Sequence, residues 1–96
     1  MGLENLLLRE ALIGDEARLF LSSNVGRRVL SCVESRRRAA LDRLAVVDPC
    51  DPDEIRRLQN EIGLCDMFVG FINDCIVSGD NAVEGLESVG YENTFE

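Results

Sequence analysis

The stretch Val46-Val47-Asp48-Pro49-Cys50-Asp51-Pro52-Asp53-Glu54 decides the fold, because it stops one helical pattern and starts another within a few residues. Pro49 pushes Asp48 out of the α region, so the pattern arriving through Leu41, Leu44 and Val47 must end there. Asp51 then stands where an N-cap is needed. Pro52 takes the first helical position, where its missing N–H costs nothing, and Asp53 and Glu54 place negative charge at the positive end of the helix dipole. Glu54, three residues after Asp51, completes an Asp version of the capping box. So short a connection predicts two antiparallel neighbouring helices.

Outward from that turn, residues 24–47 repeat apolar positions at steps of four and three: Gly26, Leu30, Val33, then Ala40, Leu44 and Val47. The one charged member of the seam is Arg37, read as a side chain whose stem lies on apolar surface or as the partner of an acid on the facing helix. Residues 53–78 keep the same rhythm at Ile55, Leu58, Ile62, Cys65, Val69, Ile72 and Ile76. Such a seam favours packing at about +20° against an antiparallel neighbour, and each arm should reach roughly 35 Å at 1.5 Å per residue.

A second stripe, Leu64, Phe68, Phe71 and Cys75, lies about 100° around the third helix from the first seam. One seam cannot bury both. The cover is expected from Leu-rich N-terminal helices, from a second copy, or from both. A dimer would bring Phe68 or Phe71 near its own symmetry mate. Before the hairpin, residues 2–13 read as a short helix, Gly14-Asp15 as a break, and residues 16–21 as a second short helix. After it, Gly79-Asp80-Asn81 reads as a helix end and turn, with one or two further helical turns over residues 82–89, and residues 80–96 as an acidic tail with five acids and no bases, carrying Tyr91 and Phe95. The expected fold is therefore all-α: one domain over residues 1–79, a long antiparallel hairpin with short N-terminal helices packed at its base.

Composition bounds the function. The 96 residues carry a net charge of −8, with 46% apolar and 29% charged residues, a globular balance in which one small core is marginal. No run approaches the roughly 20 apolar residues of a membrane span, and residues 3–13 are broken by Glu4, Arg9 and Glu10 without a secretory pattern. A cytoplasmic protein with no membrane contact and no small-molecule substrate is expected. All ten basic residues are Arg, and there is no His, the commonest general base and metal ligand. Cys32, Cys50, Cys65 and Cys75 are 18, 15 and 10 positions apart, which is not zinc spacing and reads as free thiols. Neither a base beside a nucleophile nor paired acids in a cleft is visible, so no catalytic, cofactor or metal residue is expected, and no enzyme.

Charge is unevenly laid out. Residues 24–47 hold six Arg against Glu34 and Asp42, a balance of +4, whereas residues 48–96 hold twelve acids against Arg56 and Arg57, a balance of −10. The arms are complementary, which selects register more than it stabilises. Arg36, Arg38 and Arg43 form the one basic cluster that could meet phosphate. The three fan around the helix, no aromatic residue interleaves them, and the chain is acidic, so nucleic acid is the lesser reading.

The segments Phe20-Leu21-Ser22-Ser23-Asn24-Val25-Gly26-Arg27, Ala39-Ala40-Leu41, Val47-Asp48-Pro49 and Leu58-Gln59-Asn60-Glu61 resemble small helical proteins encoded among the structural genes of tailed bacteriophages. That resemblance implies a non-enzymatic part of virion assembly or DNA packaging, acting in the host cytoplasm or the particle. It implies partners that are further copies, or other phage or host proteins. A non-catalytic interaction or assembly module is the expected function. The alternative is a small regulator that binds nucleic acid through its Arg-rich helix or inhibits a host protein.

Overall fold

A computed structural model describes residues 2–90 as three helices, α1 (Gly2–Ser22), α2 (Asn24–Val46) and α3 (Pro52–Ser88). The chain is all-α, as its periodicity predicts. The turn between α2 and α3 follows its chemistry. Val47 leaves the helix in extended conformation, the Cys50 N–H donates to Asp48 Oδ1 at 2.8 Å, and Asp51 caps α3 by accepting from the Glu54 N–H at 3.2 Å. The capping box is only half formed. The Asp51 N–H donates to the Asp48 carbonyl instead, and the Glu54 carboxylate turns to Arg57 and Arg43.

Helix α3 is the rail to which both other helices attach. Facing α2 it buries Leu58 and Cys65 with Ala40 opposite, and its later turns bury Gly79, Ala82 and Leu86 against Gly14 and Ala17 of α1. Helices α1 and α2 touch each other least, because they lie nearly end to end and are joined only through Ser23. Ser23 caps α2: its Oγ accepts from the Gly26 N–H at 2.9 Å and donates to the Phe20 carbonyl at 2.6 Å.

Three expectations need correcting. Gly14-Asp15 is not a break; α1 runs through it unbroken. Gly79-Asp80-Asn81 does not end the third helix, which continues to Ser88, and the glycine that does stop it is Gly90, at φ 76° with its N–H donating to the Glu87 carbonyl. The physical reason is shared: Gly14 and Gly79 are spent on each other, their backbones packing so closely that neither has room for a Cβ. The boundary expected at residue 79 thus falls inside α3, and the remainder of the expected tail, including Tyr91 and Phe95, lies outside the described residues.

The third correction carries the most consequence. The N-terminal segment packs at the base of the hairpin but covers the second stripe only in part, with Phe68 and Cys75 half-buried and Leu64 and Phe71 exposed. It extends the line of α2 and packs on the same seam of α3, further along. The result is one layer of helices, two wide, with extents of 65 × 27 × 15 Å. Its radius of gyration is 19.3 Å, against about 12.5 Å for a compact domain of this length.

Candidate interaction face

A layer two helices wide has two broad faces, and side-chain contacts sort the residues between them. On one face Arg37 meets Asp66 at 2.7 Å and Arg18 meets Asp80; a shallow open groove there is lined by Leu30, Glu34, Leu41, Val69 and Asn73. Asp66, Asn73 and Asp80 recur every seven residues along one flank of α3, so this polar face runs the length of the molecule. The hydrogen bonds to Asp66 and Asp80, first, and then their charges raise the Arg37 and Arg18 pKa values.

The opposite face divides in two. Toward the turn it is charged: Arg36 meets Glu61 at 2.8 Å, and Glu54 takes Arg57 at 2.7 Å and Arg43 at 3.6 Å. The hydrogen bond from Arg57, ahead of the charges of Arg57 and Arg43, holds the Glu54 carboxyl below its ordinary range. From residue 64 onward the flank of α3 changes character. Leu64, Phe68, Phe71 and Cys75 are followed at the same phase by Ser78, Ala82, Gly85 and Val89, without a charge over roughly 37 Å.

The structure brings further apolar residues to that flank. In an antiparallel pair, the flank of α1 beside Leu64 and Phe71 is the one opposite Arg18, and seven-residue spacing places Leu6, Ile13 and Phe20 on it. From α2 come Val25 and Cys32, in phase with Ala39, which lines the same face beside Arg36 and Arg43. Leu64 is 62% exposed, Phe71 65% and Val25 68%, whereas Phe68 and Cys75 are half-buried by the neighbouring helices. The expected stripe is therefore real but only half covered. Its partners on α1 and α2 were legible only as a repeat of seven, Leu6, Ile13 and Phe20, once α1 is taken as unbroken. The charged residues nearest these positions are Glu10, half-buried toward α3, and Arg9, Glu16 and Asp74, exposed along the outer edges of the flank.

The arginines of the expected cluster are not brought together. Arg36 and Arg43 are ion-paired on one face, and Arg38 borders the groove on the other. Among the described residues no three His, Cys, Asp or Glu side chains converge as metal ligands. The cysteines are free thiols, Cys65 buried in the seam and Cys50 exposed in the turn. Length and composition would let α3 cross a membrane, against the expectation from apolar run length. The same helix carries Asp66 and Asp74, each costing about 2.5–3.5 kcal/mol at a bilayer centre. No protein-family model, curated protein or solved structure matches the chain.

Proposed function

We propose that the chain is a non-catalytic protein–protein interaction and assembly module whose working surface is the apolar half-face built on Leu64, Phe68 and Phe71. The observation that carries this reading is the single layer of helices. Six apolar residues are buried, Ala17, Ala40, Leu58, Cys65, Ala82 and Leu86, while fifteen large hydrophobic side chains remain exposed among the described residues. Of the fifteen, Leu6, Ile13, Val25, Leu64, Phe71 and Val89 fall on the half-face, and monomeric proteins rarely leave apolar side chains so grouped in water, because burial contributes about 25 cal/mol per Å². Helix α1 exposes Leu12 and Leu19 on its far side as well.

The likeness to tailed-phage helical proteins supplies a setting for this reading, virion assembly in a host cytoplasm. A portal, terminase or capsid gene next to this one would support that setting, and an isolated housekeeping neighbourhood would contradict it. The module itself is tested in lysate of the native source by size fractionation with immunodetection. The chain is expected in a species larger than 10.7 kDa, and Phe71→Ser should release it; a wild-type chain fractionating at its own mass contradicts the reading.

The nucleic-acid alternative rests on Arg36, Arg38 and Arg43, and the acids already held by two of them weigh against it. A gel shift at low salt, where phosphate contacts are strongest, decides it. No retardation is expected.

A further inference from the structure

We infer that the apolar half-face is the contact between two copies of this chain, stacked face to face about a two-fold axis that crosses the helices near Ser78. This rests on the reading as an interaction module and names the partner.

Surface area states the size of the missing contact. A compact monomer of 10.7 kDa exposes roughly 5,500 Å², whereas the chain exposes 7228 Å². The excess is roughly 1,700 Å², and allowing the seven residues outside 2–90 the whole surface of an unfolded chain still leaves roughly 700 Å². A stable interface takes about 800 Å² from each partner. One further copy matches that requirement. With two leucines the only large buried side chains besides a cysteine among the described residues, a lone hairpin also has too little core to stand alone. Its cover must be at hand whenever the chain is made, and a second copy always is.

Charge selects the same partner. Each copy carries −8, so like chains repel wherever acids would meet. The middle of the half-face offers only half-buried Glu10 to that repulsion, with Arg9, Glu16 and Asp74 along its outer edges. A charged partner would find little charge to pair with between those edges, whereas another apolar half-face matches it.

Charge also fixes the orientation. An axis running along the helices would stack the turn half of each face on its own copy, desolvating Arg36–Glu61 and the Arg43–Glu54–Arg57 group. An axis crossing the helices at the middle of residues 64–89 superposes only the apolar halves. The turns then project from opposite ends. Phe71 meets the partner one heptad to the side of the axis, and the contact expected at Phe68 is displaced, since Phe68 is already half-buried within its own chain.

The test uses the full chain. Light scattering of the wild type should give twice 10.7 kDa, and Ile13→Ser with Phe71→Ser should halve that mass. Should the double variant unfold, the wild type still decides, because a dimer's Tm rises with chain concentration and a monomer's does not. In a background of Cys32→Ser, Cys65→Ala and Cys75→Ser, donor and acceptor dyes on Cys50 should show no energy transfer, their turns being about 80 Å apart at 1.5 Å per residue. Adding Ser78→Cys and Cys50→Ser to that background should give a disulfide-linked dimer under mild oxidant. A monomeric mass with a concentration-independent Tm overturns the inference, as does strong transfer between Cys50 dyes, or a chain that is monomeric in buffer and saturably bound by neutral phosphatidylcholine vesicles. If the purified chain is monomeric while the lysate chain runs in a larger complex, self-association fails and the interaction reading stands; if both are monomeric, both fail.

Discussion

Gly14 of α1 and Gly79 of α3 press two helix backbones together. A Cβ added to Gly14 would lie 2.9 Å from the Gly79 Cα, and one added to Gly79 would lie 2.8 Å from the Gly14 Cα. Neither neighbour is a flexible side chain that could move aside, so the helices themselves would have to part. Ala17 and Ala82, buried one turn on, keep the approach close.

Glycine substitutions on α3 should therefore split by sign. Replacing a mid-helix glycine by alanine gains about 0.5–1 kcal/mol in an open position, and Gly63 and Gly70 have nothing within 4 Å of an added Cβ. Gly63→Ala and Gly70→Ala should each raise stability by about that amount. Gly79→Val should lower it by about 1–3 kcal/mol, the usual cost of overpacking. Urea unfolding at one chain concentration measures all three, and equal shifts would refute the close contact.

The junction at Ser23 should be as sensitive. A Cβ on Gly26 would fall 1.6 Å from the Phe20 carbonyl oxygen, which already accepts from Ser23 Oγ. Ser23→Ala removes the cap and should cost about 1 kcal/mol. Gly26→Ala forces the junction to rebuild and should cost more. Thermal melts followed by far-UV circular dichroism rank the two, and a Gly26→Ala variant as stable as wild type would contradict the geometry.

Stability should fall in acid through the turn. Glu54 is held below its ordinary pKa, first by the hydrogen bond from Arg57. A carboxyl depressed in the folded state contributes its stability above the unfolded pKa of about 4.3 and loses it as pH falls through the lower folded value. Glu54→Gln should therefore flatten the pH dependence of Tm below about pH 4.3 while changing little in shape at neutral pH. Because the pair is exposed, the effect should also shrink at high salt.

How much was legible follows from which signals were local. The turn at residues 48–54 was readable because Pro49, Asp51 and Pro52 act on their own backbone. The seams were readable because periodicity survives any packing partner, and the charged seam residue Arg37 did find an acid on the facing helix, Asp66. The glycines were misread because one residue type serves two purposes. At Gly90 it supplies a left-handed φ, at Gly14 and Gly79 it supplies proximity, and sequence alone does not separate these until the facing glycine is known. With Gly14 taken as a break, Leu6, Ile13 and Phe20 could not be joined into one flank, so half of the apolar face stayed hidden.

Sedimentation equilibrium with far-UV circular dichroism, on the wild-type chain diluted from tens of micromolar, tests most directly whether one layer of helices needs a second. Mass should start at twice 10.7 kDa and fall together with helix content, since a hairpin with so small a core does not hold its fold alone. A mass of 10.7 kDa at every concentration, with helix content unchanged, would contradict it.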